Sequence, residues 1–143
     1  MFKENPQKII TNSDRETIAV GKEVAAILKP GDIIFLYGEL GSGKTVFVKG
    51  VCCGLGVNEE VTSSSFVIAT EYHGHVPVVH IDLYRLTPSD LINLPLEEYI
   101  IQNGITLIEW ADRINNHHMK GIRVQMEIQG VNKREIKIED FRD

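Results

Sequence analysis

Residues 38–45 read Gly-Glu-Leu-Gly-Ser-Gly-Lys-Thr, which matches G-x-x-x-x-G-K-[ST]. Each residue type there has a chemical reason. Gly38, Gly41 and Gly43 permit backbone angles that a Cβ would forbid, and with Glu39, Leu40 and Ser42 they bring main-chain N–H groups close to phosphate oxygens. Lys44 can reach the β- and γ-phosphates, and Thr45 can offer its hydroxyl to Mg²⁺. The ligand this pattern selects is a nucleoside triphosphate.

Such a site also needs an acidic residue at the end of a neighbouring buried strand, holding Mg²⁺ directly or through water. Asp82 follows Val78-Val79-His80-Ile81, and Glu109 follows Ile105-Thr106-Leu107-Ile108. One could hold the metal while the other orients the attacking water. Val61-Thr62-Ser63-Ser64-Ser65-Phe66 lies where some nucleotide hydrolases sense the γ-phosphate, so Thr62 and Ser63 are candidates for a switch-like loop. Trp110, the only tryptophan, is either core packing or a functional residue, as a lid on the nucleotide or a partner contact.

The elements that must position these groups follow from periodicity. A short edge strand is expected over 8–11. Ser13-Asp14-Arg15-Glu16 reads as a capping box opening a helix that stops before Pro30-Gly31. Ile33 to Tyr37 is apolar throughout, as in a strand buried on both faces, and a helix from about Lys44 to Cys53 follows the glycine-rich turn. Strands are expected at 66–72, 76–82 and 105–108, with two short helices within 88–102. A hairpin is expected from 122–128 and 135–138. Helices alternating with buried strands predict an α/β, P-loop NTPase-like three-layer sandwich with a mixed, mostly parallel sheet, in one domain over 1–143.

The 143 residues carry a formal net charge of −5. That balance argues against a broad nucleic-acid-binding face, DNA included. No apolar run approaches a membrane span, and MFKENPQKII lacks the apolar core of a signal peptide. Cys52 and Cys53 are adjacent and are expected to be two buried thiols. Asn132-Lys133-Arg134-Glu135 resembles a guanine signature but has Glu where the base pairing needs Asp. His73, His75, His117 and His118 lack ligand spacing.

Taken in order, several segments resemble the TsaE family. They are Thr17 with Gly21, Lys29-Pro30-Gly31-Asp32, the loop 38–45, Gly54-Leu55-Gly56, Val61-Thr62-Ser63 and Glu71-Tyr72. His80-Ile81-Asp82-Leu83-Tyr84-Arg85-Leu86, Glu98-Tyr99 and Ile108-Glu109-Trp110 continue the match, which runs from about residue 11 to 138. The resemblance implies a cytoplasmic ATPase, slow alone, that acts with a TsaB–TsaD pair in forming N6-threonylcarbamoyladenosine at position 37 of tRNAs reading ANN codons. tRNA contact would come through that complex. It implies Thr45 and Glu109 as Mg²⁺ ligands, Asp82 as the second essential carboxylate and Trp110 beside the nucleotide. It also places Thr11, Ser13 and Arg134 near the adenosine end. Ser64 and Ser65 depart from the family's usual Pro-Thr, and Pro95 stands where Gly is common. The rival readings are a small-molecule kinase, which would need an arginine-rich lid, and an ATP-responsive binding module with incidental hydrolysis.

Overall fold

A computed structural model describes residues 4–61, 69–116 and 118–142. Their strands form one sheet: β1 (Gln7–Thr11), β2 (Ile33–Tyr37), β3 (Ala69–His73), β4 (Pro77–Asp82), β5 (Ile105–Glu109), β6 (Ile122–Ile128) and β7 (Arg134–Asp140). The spatial order is β1-β7-β6-β2-β5-β4-β3. The central strands β6, β2, β5 and β4 pair in parallel. Only β7 and β3 run against the common direction, in antiparallel pairings at the two margins. The mixed α/β sheet is therefore as the sequence predicts.

Alternation along β2 shows how the layers form. Ile34 and Leu36 face one side, where they meet Val20 and Val24 of α1 (Asp14–Ala25) and Phe47, Val48 and Val51 of α2 (Lys44–Gly54). Ile33 and Phe35 face the other, under Leu91, Leu94, Leu96 and Tyr99 from α3 (Pro88–Ile92), α4 (Leu96–Tyr99) and the segment joining them. This third layer covers the β2–β5–β4 half. The same face of β6 and β7 carries Arg123, Gln125, Lys137 and Glu139 instead, with Lys137 and Glu139 paired at 3.4 Å.

The start of α1 follows the sequence with one shift. Ser13 Oγ accepts from the Glu16 N–H at 3.1 Å, but the Glu16 carboxylate accepts from Asn12 N–H rather than from Ser13. The helix ends at Ala25, before the approach to Pro30. A 3₁₀ turn at Ala111–Arg113, absent from the sequence expectations, follows β5. The two thiols differ: Cys52 is buried and Cys53 exposed. Neighbours on a helix point about 100° apart, so one of them faces the core and the other leaves it. Burial pushes the Cys52 thiol up to about 12.

Helices α1 and α2 meet backbone to backbone. A Cβ on Gly21 would lie 2.6 Å from Phe47 O and 2.9 Å from Val51 N, and Gly50 abuts the Ile18 backbone in the same way. The contact seats α2 and so sets the height of its N-terminus over the sheet. Gly21→Ala forces the helices apart and should destabilise the fold by about 1–3 kcal/mol, the usual cost of overpacking. Urea unfolding of the variant checks this, and an unchanged midpoint would contradict it.

Candidate functional site

Three described helices begin in different ways. Ser13 caps α1, which also carries Asp14 and Glu16 in its first turn. Thr87 and Asp90 form a full capping box on α3. Helix α2 starts at Gly43, with φ 98°, no side-chain cap and no acidic residue in its first turn. Its first N–H groups and positive dipole end are thus left for an anion from outside. The loop before it leaves room: a Cβ on Gly41 would meet nothing within 4 Å. Ser42 Oγ, the orphaned buried polar side-chain atom among the described residues, lies in this loop as well.

In front of the α2 N-terminus lies a cleft of about 490 Å³, lined by residues 40–46 together with Asp14, Asp82, Tyr84, Arg85, Glu109, Trp110 and Arg134. Its floor is set by strand register. Asp82 and Glu109 are direct partners at the ends of parallel β4 and β5, and Glu109 is also level with Leu36 of β2. Ligands of open α/β sheets bind beyond such carboxyl ends. The two carboxylates expected from sequence therefore stand side by side.

Lys44 is 5 % exposed. Its ammonium donates to Gly38 O and to Glu39 O, and lies 3.9 Å from the Trp110 ring centroid. Burial pulls its pKa down, while Glu109, Asp112, Asp82 and Glu39 pull it back up. Thr45 Oγ1 stands 3.4 and 3.5 Å from the two Glu109 oxygens, near neighbours rather than tightly bonded. Glu109 Oε2 meets His80 Nε2 at 2.5 Å. Burial raises the Asp82 carboxyl, with Glu109 adding to the shift; its Oδ1 accepts from Tyr84 N–H at 3.0 Å, which opposes it.

Trp110 has φ 59°, the single non-glycine positive φ among the described residues. That geometry is costly for a bulky side chain and marks functional sites. It turns the indole onto Lys44 and onto Tyr84, at 4.9 Å between ring centroids. Trp110 also packs against the core, as the first of the two readings of it expects.

The other expected residues divide. Arg134 lines the cleft, and its guanidinium donates to Ser42 O and Gly41 O, both at 3.1 Å, and to Gly130 O and Lys133 O at 3.0 Å. It braces the phosphate loop from the β6–β7 turn. Thr11 is buried against the Thr17 hydroxyl at 2.8 Å, and Ser13 caps α1. Neither lines the cleft; Asp14 does. Arg113 donates to Leu83 O at 2.9 Å and Tyr84 O at 2.7 Å, outside the cleft. Thr62, Ser63, Ser64 and Ser65 lie outside the described residues.

Among the described residues no cluster of three or more His, Cys, Asp and Glu forms a metal cage. Mg²⁺ carried with a nucleotide needs only one or two carboxylates, completed by phosphate oxygens and water. Thr45, Glu109 and Asp82 fit that requirement. No described helix is long and apolar enough to cross a membrane.

The family model described as threonylcarbamoyl adenosine biosynthesis protein TsaE matches residues 11–137. The chain belongs to the TsaE family. The Bacillus subtilis tRNA threonylcarbamoyladenosine biosynthesis protein TsaE is 39 % identical over 128 residues, 88 % of this chain and 80 % of that one. Its Treponema pallidum counterpart is 36 % identical over 108 residues, 75 % of this chain and 80 % of that one. A crystal structure of Bacillus subtilis YdiB superposes with a TM-score of 0.79 at 34 % identity, covering 96 % of this chain and 86 % of that one.

Sequence reasoning missed two features of this TsaE site: the His80–Glu109 contact and the Arg113 clamp. The first had a signal, since His80 and Asp82 are two apart on a strand and share a face. The second had none, because a side chain bound to backbone carbonyls leaves no pattern. Lys44→Ala removes the cation held on the Gly38 and Glu39 carbonyls and should weaken ATP binding by about tenfold or more, from the roughly 1.5–3 kcal/mol of a charge-assisted bond. Calorimetric titration with ATP measures it, and unchanged affinity would sink the phosphate-loop assignment.

Proposed function

We propose that this TsaE-family chain binds and slowly hydrolyses ATP as a component of tRNA threonylcarbamoyladenosine formation, acting with a TsaB–TsaD pair and meeting tRNA through that complex. The observation that carries the reading is the uncapped α2 N-terminus placed over the register-paired Asp82 and Glu109. Loop N–H groups and the α2 dipole hold the phosphates, and Lys44 neutralises the β/γ oxygens. Thr45 and Glu109 would hold Mg²⁺, which supplies charge neutralisation at the phosphates. Asp82, its carboxyl raised by burial, would accept a hydrogen bond from the attacking water.

Transition-state charge on the transferred phosphoryl group is often met by an arginine. Arg113 is committed to carbonyls and Arg134 to the loop backbone. Arg85 lines the cleft, is exposed, and makes no hydrogen bond or ion pair with other described residues. An exposed, unanchored arginine supports poor intrinsic catalysis that a partner improves by ordering it. On this reading the chain works in the cytoplasm.

Two measurements test it. Glu109→Ala should lose the Mg²⁺ dependence of ATP binding, whereas Asp82→Ala should spare binding and lower turnover by about 10² or more, the usual worth of a positioned general base. Two silent variants would remove both residues from the mechanism. Steady-state hydrolysis by the pure chain should be far below the roughly 10 s⁻¹ of a median enzyme and should rise when TsaB–TsaD is added. Fast turnover indifferent to the pair, or turnover that needs a small phosphoryl acceptor, would favour a free-standing ATPase or a kinase.

A further inference from the structure

His80 sits where the assigned chemistry does not need a histidine. It lies on β4, level with Leu107 of β5 and Thr70 of β3, two residues before Asp82. Its side chain is 2 % exposed and that of Glu109 3 %, with Nε2 and Oε2 2.5 Å apart. The Tyr72 ring flanks it, 6.4 Å between centroids. The remaining hydrogen-bond partner of the Glu109 carboxylate among the described residues is the Thr45 hydroxyl, and that contact is long. A carboxylate at the end of a strand can swing about its χ angles. One oxygen fastened to a buried ring removes that freedom and leaves the other oxygen to face the cleft.

We propose that His80 is a positioning residue that holds Glu109 by Oε2, so that Oε1 is presented beside Thr45 to the divalent cation accompanying the nucleotide. The inference rests on the nucleotide–Mg²⁺ reading above. Carboxylate ligands of metals are themselves held by hydrogen bonds, and loss of such an outer partner typically costs 10–100-fold in metal affinity. The shape of the site favours this over simple packing. An apolar ring at position 80 would fill the same volume against Tyr72, yet would leave Glu109 Oε2 buried with only the long 3.5 Å contact from Thr45 Oγ1. Histidine supplies both the volume and the donor.

The test uses the full chain and compares His80→Phe, which keeps the volume, with His80→Gln, which keeps a donor. Binding of a non-hydrolysable ATP analogue is measured in EDTA and across a Mg²⁺ titration, and Mn²⁺ is followed by its EPR signal as a direct probe of the metal. The expected result for His80→Phe is unchanged affinity in EDTA, with a 10–100-fold rise in the Mg²⁺ concentration needed for half-maximal effect and a parallel loss of bound Mn²⁺. His80→Gln should recover most of that. In a Glu109→Gln background, His80→Phe should add nothing further, because the group it positions is already gone. This background also removes the buried charge and so covers the case in which His80→Phe alone does not fold. A purely structural role would lower affinity equally with and without metal, and would persist in that background; either result overturns the proposal. A wild-type chain indifferent to Mg²⁺ overturns the nucleotide–metal reading and this inference with it. A wild-type dependence that His80→Phe keeps overturns this inference alone.

Discussion

The interaction on which the rest of the structure depends is the one that α2 does not make for itself. A helix N-terminus leaves four N–H groups without partners. α1 and α3 answer that demand with Ser13 and with the Thr87–Asp90 box. At α2 every cheap answer has been withheld: glycine at the cap, Lys44 and Thr45 behind it, and no acid in the first turn. A folded chain can carry such an end only if something else holds the helix in place. Here that is the glycine-mediated contact of Gly21 and Gly50 with the facing backbone, and the buried stripe of Phe47, Val48 and Val51. The binding site and the packing of α1 on α2 are therefore one problem, and a change to either reaches the other.

The second constraint is register. Parallel pairing places Asp82 opposite Glu109 and brings both level with the end of β2, from which the phosphate loop departs. A slip by one residue would turn both carboxylates to the face covered by α3 and α4. The apolar residues of β4 and β5 prevent that slip: Val78, Ile105 and Leu107 fill one core while Val79, Ile81 and Ile108 fill the other. Positioning of the acidic pair is thus inherited from the packing of apolar side chains on both faces of β4 and β5.

This is also why so much was legible in sequence. Runs such as Ile33–Tyr37 and Ile105–Ile108 announce doubly buried strands, the glycine-lysine pattern announces its own chemistry, and the two acids are found by reading off the residue after each run. What sequence could not supply is geometry that depends on where strands lie in space. The sheet order puts β5 between β2 and β4, although β4 comes earlier in the chain, and the His80–Glu109 contact exists only because of that insertion. Cys53 shows the same limit on a helix: composition says thiols tend to be buried, but the facing of one turn of α2 decides which. Thr11 shows it as well, since its pairing with the Thr17 hydroxyl at 2.8 Å depends on where β1 meets α1.

The arginines complete the argument about how the site is built. Arg134 and Arg113 both spend their charge on backbone carbonyls: Arg134 steadies the phosphate loop, and Arg113 steadies the Leu83–Tyr84 turn that carries Arg85. That turn is fixed from other directions too, by Tyr84 N–H on Asp82, by Leu83 N–H on Glu109 O at 3.3 Å, and by the Tyr84 ring on Trp110. The backbone that presents Arg85 is therefore rigid while its side chain is exposed at the cleft. Rigid backbone with a cation that no other described residue tethers is an arrangement that can be completed by a small external contact, because ordering one side chain costs only about 1.5–2 kcal/mol of rotamer entropy. A partner surface that fixed the Arg85 side chain would need to do no more than meet that cost.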